Sequence, residues 1–174
     1  MKPTTPAPAG YSGTPLPKKL GIQAGFRVGL VNAPENFRDT LGPLPEGVLL
    51  KDAARADEGA SFDVIVCFVQ TAHDVDDHLR FLRPKLTAAG GLWLGWRKKL
   101  AKGAKQPVLA SDVSESVVRS AGLAGGLVDN KVCAIDEVWS GLRFVVRVEQ
   151  RPKIANVAKA AQPATRTRVE KRRP

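Results

Sequence analysis

The residues whose types and spacing could do chemistry are concentrated between positions 126 and 148, in GLVDNKVCAIDEVWSGLRFVVRV. Two apolar, β-branched runs frame a polar centre there, as in a β-hairpin. No catalytic motif with a known mechanism matches the stretch, so it does not by itself define a reaction. Its candidate ligand-binding residues are Asp129, Asn130, Lys131, Asp136, Glu137, Trp139 and Ser140.

Local structure competes with a ligand site as the explanation of these residues. Asp136 and Glu137 are paired carboxylates, which can share a proton or hold a cation, and the neighbouring Trp139 indole can stack on a planar ligand. A β-turn with a cross-strand salt bridge accounts for the same carboxylates. Residues 129–131 fit a turn or bulge whose side chains bond to their own backbone. Both interpretations stay open at the level of sequence.

Further candidate ligand-binding residues lie after the predicted strands or in the segment before the first one. In an open α/β sheet, ligands sit beyond the carboxyl ends of the parallel strands, where Asn32, Lys98 and Lys99 are expected. The two lysines can bind a phosphate or carboxylate, or they can form a solvated strand end. Tyr11 and Ser12 can line an anion site or pin the amino-terminal arm onto the core.

The sequence gives less support to a metal site or a reactive thiol. The acidic cluster at 74–77 lies between His73 and His78, at a predicted helix start where the helix dipole favours negative charge. We therefore expect no metal site there. Cys67 and Cys133 each lie inside an apolar run, which predicts buried free thiols. A disulfide or a reactive thiol is the alternative.

Charge is concentrated at the carboxyl terminus. The chain has a formal net charge of +10, and residues 151–174 hold eight basic residues against one acidic residue. This basic tail can attract nucleic acid or another polyanion without sequence preference, or it can be a solvated, disordered segment. The candidate polyanion-binding residues are Arg166, Arg168, Lys171, Arg172 and Arg173.

Apolar patterning predicts the elements that position these residues. The continuous run FDVIVCFV at 62–69 is typical of a strand buried on both faces of a parallel sheet. Trp93 and Trp96 are expected on one side of their strand. The remaining expectations are strands at 25–32, 47–51 and 92–96, helices at 34–42, 74–86 and 112–122, a helical turn at 18–21 after a proline-broken segment, and a turn at 88–91.

A hairpin is predicted to close the fold, with strands at 127–138 and 142–148 and a turn at 139–141. The alternation of strands and helices before it implies right-handed crossovers. The predicted fold class is α/β, with a Rossmann-like, mainly parallel sheet and a carboxyl-terminal antiparallel hairpin. Residues 11–150 form the single domain, between an amino-terminal arm (1–10) and the tail, both expected to be disordered.

The order of these elements resembles a class I methyltransferase. The strand FDVIVCFV, a helix ending in LRPKLTAAGG, the strand GLWLGW, a helix and two final strands carry the resemblance. LGIQAGFRVGLVNAP is similar to that superfamily's first strand and loop, although Asn32-Ala33-Pro34 replaces its glycine-rich turn and the middle of the chain is shortened. The resemblance implies a reduced scaffold, on which S-adenosylmethionine is an alternative to the expected absence of a cofactor.

A second resemblance involves two longer words, GYSGTPLPKKLGI and GLVDNKVCAIDEVWSGLRFVVR. They are similar to a small, mainly actinobacterial family named only as domain of unknown function 3052. The similarity runs from about Ala9 to Arg151 and leaves the tail outside. It implies a bacterial cytoplasmic setting and no particular activity.

Three functions remain open on this basis. The first is a non-catalytic binding or regulatory module that acts through a protein partner. The second is a small-molecule enzyme, such as an S-adenosylmethionine-dependent methyltransferase with a degenerate cofactor loop. The third is a nucleic-acid-associated protein that acts through the basic tail. No membrane contact is expected, because no apolar run approaches the ~20 residues that cross a bilayer.

Overall fold

A computed structural model describes residues 13–57, 59–99 and 111–151. They form one sheet of six strands with helices on its two faces. The strands are β1 (Arg27–Val31), β2 (Leu49–Asp52), β3 (Phe62–Phe68), β4 (Leu86–Arg97), β5 (Leu127–Ala134) and β6 (Trp139–Val146). The helices are α1 (Leu16–Leu20), α2 (Phe37–Leu41), α3 (Ala72–Leu82) and α4 (Glu115–Ala124), with short 3₁₀ turns at Arg83–Lys85 and Val148–Gln150.

The strands lie in the order β2-β1-β3-β4-β6-β5. Parallel ladders join β2 to β1, β1 to β3, and β3 to β4, whereas β6 runs antiparallel to β4 and β5. The predicted fold class is therefore confirmed, including the antiparallel hairpin at the end. The buried run 62–69 lies in β3, between two parallel neighbours, as its continuous apolar pattern predicts.

Each face of the sheet carries its own hydrophobic core. One core packs α3 and α4 against the sheet, with Val75, Leu79 and Val118 as buried contacts. The other packs α1 and α2 against the opposite face through residues such as Leu20 and Phe37. Burial on both faces follows from the apolar runs of the central strands, because a helix must cover each side of such a sheet.

Two expectations about β4 are wrong. The predicted turn at 88–91 is part of β4, which begins at Leu86 and reaches Gly91 through an irregular pairing with β3. Glycines signal a turn in isolation, but the ladder with β3 extends the strand through them. Trp93 and Trp96 lie in opposite cores, because three residues of alternation turn their side chains to different faces.

The turn of the closing hairpin lies earlier than predicted. Trp139, Ser140 and Gly141 belong to β6, and the chain reverses at residues 135–138. The Oδ1 atom of Asp136 accepts hydrogen bonds from the backbone amides of Val138 and Trp139, each at 2.7 Å. An aspartate that bonds ahead along its own backbone forms a turn more strongly than the Ser-Gly pair does.

The helix boundaries also differ from the expectations. α1 begins at Leu16 and includes Pro17, because a proline needs no amide partner in the first turn of a helix. α3 begins at Ala72 and gives way at Arg83 to a 3₁₀ turn around Pro84. α4 begins after the capping residue Ser114 and continues past the predicted end at Gly122.

Several predictions lie outside the described residues or at their margin. The amino-terminal arm (1–10) is one, and the basic tail is described only at Arg151. Among the described residues, no helix is both long enough and apolar enough to span a membrane.

Candidate functional site

The strands β1 to β4 run parallel, so they end at one edge of the sheet, which we call the carboxyl edge. β5 runs in the same direction as β4, because each is antiparallel to β6, so the β5–β6 turn lies at this edge as well. The chain order reverses between β1 and β3, and open α/β sheets bind ligands in the crevice at such a switch point.

Asn32 lies at the switch point, directly after β1. Its backbone has a φ of 52°, in the left-handed region that glycine and asparagine tolerate best. Its Nδ2 donates to the carbonyl oxygen of Phe68 at the end of β3 (3.5 Å) and lies 3.2 Å from Nε2 of His78 on α3. Asn32 therefore joins β1, β3 and α3 across the crevice.

The hydrogen bonds of His78 define its tautomer. Nδ1 lies 2.6 Å from the backbone carbonyl oxygen of Asp74, which can only accept, so Nδ1 carries the proton. In the neutral ring Nε2 is then the acceptor for the Asn32 amide.

A cleft of about 390 Å³ opens beside Asn32, between the ends of β1 and β2. We call it the Asn32 cleft. Asp52 is the last residue of β2. Its Oδ1 accepts a hydrogen bond from the Ala54 amide at 2.9 Å, and its Oδ2 forms a salt bridge with Nε of Arg55 at 3.5 Å. Its carboxylate remains half exposed at the cleft. The lining residues are Leu30, Asn32, Ala33, Pro34, Glu35, Phe37, Arg38, Lys51 and Asp52.

The other predicted residues of the carboxyl edge form a separate cluster. Nζ of Lys98 donates to the carbonyl oxygen of Asp136 at 2.7 Å, so this lysine ties β4 to the β5–β6 turn. The Asp136 carboxylate caps that turn. Glu137 and Lys99 are exposed, and Ser140 is half-buried opposite Trp96 in the ladder.

Three aromatic rings of the core on the α1–α2 face lie between the Asn32 cleft and the cluster around Lys98. Phe68 meets Phe37 and Trp139 edge to face, with ring centroids 4.8 and 4.9 Å apart. The guanidinium of Arg97 lies 5.4 Å from the Trp139 ring centroid. Trp139 is only 6% exposed, so its indole is part of the core rather than an open stacking platform.

The predicted trio Asp129, Asn130 and Lys131 lies away from the carboxyl edge, within β5. The ladder with β6 shifts register between Asp129 and Lys131, which places a bulge at Asn130. Asp129 Oδ2 accepts from Nε of Arg119 on α4 at 2.9 Å. The predicted bulge is therefore present, and Asp129 ties the hairpin to α4.

The acidic cluster at the start of α3 caps the helix. Thr71 and Asp74 form a reciprocal capping box, with Asp74 N to Thr71 Oγ1 at 3.2 Å and Thr71 N to Asp74 Oδ2 at 3.1 Å. Hydrogen bonding to Thr71 lowers the pKa of the Asp74 carboxyl below its usual value. Asp112 adds a bond to the Ala72 amide at 2.9 Å. Within the described residues, no group of three or more His, Cys, Asp or Glu side chains could hold a metal ion.

A larger groove of about 960 Å³ lies on the α3–α4 face, near the amino end of β4. Arg83 spans it, donating through Nη1 to the Gly125 carbonyl at 2.7 Å and through Nη2 to Gln150 Oε1 at 3.1 Å. The smaller Asn32 cleft is the candidate ligand site, because open α/β sheets bind their ligands at the carboxyl edge.

Some candidate residues cannot be related to this geometry. Tyr11 and Ser12 lie outside the described residues, as do Arg166, Arg168, Lys171, Arg172 and Arg173.

Two side chains of the site, those of Asp52 and His78, are not among the residues predicted from the sequence. Asp52 lies one residue beyond the predicted strand at 47–51, although an acidic residue about 20 positions after the first turn of such a sheet is a signal of ribose binding. In the sequence, His78 stands out only as a neighbour of the acidic cluster at 74–77. Its contact with Asn32 joins residues far apart in the chain, so no local pattern predicts it.

Comparisons with solved structures support the fold. A SAM-dependent methyltransferase from Aquifex aeolicus aligns with a TM-score of 0.51 and 15% identity, over 73% of this chain and 85% of that one. A possible exported protein from Bordetella parapertussis aligns with a TM-score of 0.51 and 11% identity, over 74% of this chain and 64% of the other. At these identities the likeness shows the fold alone.

No protein-family model matches the sequence, and no curated protein matches it. The similarity to the actinobacterial family therefore stays a prediction. The resemblance to methyltransferase folds is confirmed: the chain has an α/β, Rossmann-like fold of the methyltransferase-like kind.

Proposed function

We propose that this chain is a non-catalytic binding module on a methyltransferase-like scaffold, and that the ligand of the Asn32 cleft contains an adenosine group. The cytoplasmic setting and the relation to the actinobacterial family are part of the proposal. The observation that carries it is the engagement of three polar side chains of the carboxyl edge in bonds that hold the fold together.

Each of the three side chains illustrates that engagement. The amide of Asn32 donates to the Phe68 carbonyl and contacts His78, and the ammonium of Lys98 donates to the Asp136 carbonyl in the turn. The Asp136 carboxylate accepts from two backbone amides of the same turn. A general acid or base must be within hydrogen-bond reach of a substrate proton. Groups that already stabilise the fold are better suited to shaping a site than to exchanging protons in it.

The adenosine part of the proposal rests on the Asn32 cleft. In nucleotide-binding α/β sheets, an acidic residue about 20 residues after the first turn bonds the ribose hydroxyls. Asp52 comes 20 positions after Asn32 and lies at the end of β2, with a half-exposed carboxylate. The left-handed backbone of Asn32 supplies the turn that glycine usually supplies at this position.

The second candidate is S-adenosylmethionine-dependent methyl transfer. The same Asp52 favours it, since an adenosyl cofactor offers the same ribose. The Aquifex aeolicus protein with this fold is described as a SAM-dependent methyltransferase. The two candidates differ in whether the bound molecule is consumed.

Thermal unfolding with adenosine, S-adenosylmethionine and S-adenosylhomocysteine tests the binding. At about 100 times its dissociation constant, a ligand stabilises the folded state by about 2.7 kcal/mol, which raises Tm by about 5–10 °C for a chain of this size. Asp52→Asn removes the charged acceptor for the ribose and should weaken binding about tenfold. Asp57→Asn, an exposed carboxylate in the same connection, is the matched control and should bind normally.

Methyl-labelled S-adenosylmethionine in a cell extract tests the absence of catalysis. Binding without label transfer supports the module. Label transfer that requires the chain and is lost in Asp52→Asn would establish the enzyme instead. If none of the adenosine compounds raises Tm, the adenosine assignment is wrong.

A further inference from the structure

The groove that Arg83 spans on the α3–α4 face has no part in the adenosine site. We call it the α3–α4 groove. Its volume of about 960 Å³ is more than twice that of the Asn32 cleft, which has about 390 Å³. Small-molecule sites typically have volumes of roughly 300–1,000 Å³. The groove is therefore large enough for a ligand of its own.

The floor of the α3–α4 groove is an open part of the hydrophobic core. Leu79 and Leu127 are buried there, whereas Leu86, Ala121 and Val146 pack against the same core and stay partly exposed. These residues come from both helices and from β4, β5 and β6. Because covering apolar surface removes it from water, this floor favours a ligand with an apolar chain.

One wall of the groove carries positive charge. Arg80 and Arg83 lie three residues apart along α3 and the turn that follows it, so they are neighbours on one side of the helix. Arg83 is engaged with the Gly125 carbonyl and with Gln150. Arg80 is exposed and makes no hydrogen bond or ion pair with any other described residue. Its guanidinium is available to a carboxylate, which accepts two parallel N–H bonds.

Asp76 lines the same wall one turn before Arg80. Both side chains belong to exposed residues, and the ion pairs found in the described part of the chain do not join them. The wall is thus acidic near the middle of α3 and basic towards its end, with a rise of about 6 Å from one residue to the other. An anionic group is favoured beside Arg80 and disfavoured beside Asp76.

The path of Arg83 favours a small molecule over a helix of a partner protein. An amphipathic helix docks along an uninterrupted groove, through side chains from successive turns. Arg83 instead crosses the α3–α4 groove to reach Gly125 at the end of α4 and Gln150 beyond β6. A single chain with one charged end needs only the floor and Arg80.

We propose that the α3–α4 groove binds a single-chain apolar carboxylate of the fatty-acid class, with the carboxylate at Arg80 and the chain on the apolar floor. The acid binds from solution, because Asp76, Arg80 and Gln150 make the rim polar, whereas docking on a lipid surface requires exposed apolar side chains there. This site does not depend on the adenosine ligand of the Asn32 cleft.

Isothermal titration calorimetry of the full-length chain tests the proposal with decanoate and with decanol, which has the same chain without the carboxylate. We expect saturable binding of decanoate. R80Q should raise its Kd about tenfold and leave the Kd of decanol unchanged, because the floor is intact. R27Q removes the same charge from an exposed position on β1 and should change neither Kd. D76N should tighten decanoate binding about threefold, because it removes a like charge.

A variant that fills the groove tests its location. A124F adds a ring to an exposed lining residue at the end of α4 and should abolish binding of both compounds. S120F adds the same ring to an exposed position of α4 outside the lining and should bind both normally. Thermal unfolding without ligand checks that each variant folds. Equal decanoate binding by the native chain and A124F, or no saturable binding by the native chain, would overturn the site.

Three further results would overturn the choice of ligand. An R80Q protein that binds decanoate as tightly as the native chain would rule out the carboxylate contact. Binding to phosphatidylcholine vesicles without binding to free decanoate, lost in A124F, would assign the groove to a lipid surface. A native dimer that A124F converts to a monomer in analytical ultracentrifugation would assign it to a second copy of the chain.

Discussion

Gly122 of α4 shows how closely the core packs at a single residue. A Cβ added there would lie 2.1 Å from a ring carbon of Phe144, which is fully buried. Alanine is favoured over glycine in a helix by about 1 kcal/mol, but overpacking a core costs about 1–3 kcal/mol. This contact is far inside van der Waals distance, so the cost of overpacking should prevail.

We expect Gly122→Ala to lower the free energy of unfolding by up to about 2 kcal/mol, the cost of overpacking less the gain in helix propensity, measured by urea denaturation. Ser120→Ala, an exposed position on the same helix, is the control and should be neutral or stabilising. A Gly122→Ala protein more stable than native would mean that Phe144 moves aside at little cost.

The two cysteines should react differently. Cys67 is fully buried in β3 and burial raises its pKa strongly, whereas Cys133 is half-buried and lysines offset part of the rise in its pKa. Because the thiolate is the nucleophile, a raised pKa slows alkylation at neutral pH. We expect iodoacetamide to modify Cys133 slowly, faster as the pH rises, and Cys67 only after unfolding. Mass spectrometry of native and Cys133→Ser protein checks this, and alkylation of Cys67 in the folded chain would contradict it.

At the scale of elements, the sequence pattern predicts those strands and helix ends that depend on nearby residues alone. The run at 62–69 becomes the central strand β3, and Gly42 ends α2 as expected. The misplaced hairpin turn and the predicted turn at 88–91 depend on long-range pairing with β4 and β3. A period-2 pattern places residues on a face, but it does not show where the neighbouring strand ends.

The capping box of α3 gives the element a predictable response to acid. The pKa of Asp74 is lowered in the folded state, so its contribution to stability is complete above the unfolded-state value and is lost as the pH falls through the folded-state value. Asp74→Asn should therefore lower Tm at pH 7, and the difference from native should shrink as the pH falls below the ordinary range of an aspartate pKa.

Asp76→Asn is the matched control, because this exposed neighbour on the same helix lies outside the capping box. Thermal melts of the three proteins across pH test the prediction. A Tm difference for Asp74→Asn that stays constant down to pH 2 would show that ionisation of this carboxyl does not stabilise the helix.

At the scale of the whole molecule, the site is less predictable than the fold. The positions of Asn32 and Lys98 at one edge follow from the predicted order of parallel strands, whereas Asp136 reaches that edge through the closing antiparallel hairpin. Their bonding partners do not, because Asn32 meets His78 only after α3 packs on the sheet, and Lys98 meets a backbone carbonyl. The backbone oxygens that need a side-chain donor are set by the folded structure, so the sequence pattern does not identify them.

Alanines of the connection between β2 and β3 pack in the core on the α3 face, and a buried lysine bonds to the backbone there. Lys85, 5% exposed, donates through Nζ to the carbonyls of Ala53 (3.2 Å) and Ala56 (2.7 Å), and its ammonium lies 4.2 Å from the Phe81 ring centroid. Because Ala53 follows Asp52, this contact also supports the wall of the Asn32 cleft.

Lys85→Met keeps an unbranched apolar stem but leaves the two carbonyls without this donor. We expect a loss of about 1–3 kcal/mol in the free energy of unfolding and faster amide hydrogen exchange in residues 53–57. Lys18→Met, an exposed position on α1, should change neither quantity. The bonds would be dispensable if Lys85→Met matched the native protein in stability and exchange. If exchange in residues 53–57 rises as expected, adenosine should also bind more weakly to the variant, because the connection that positions Asp52 would then open more often.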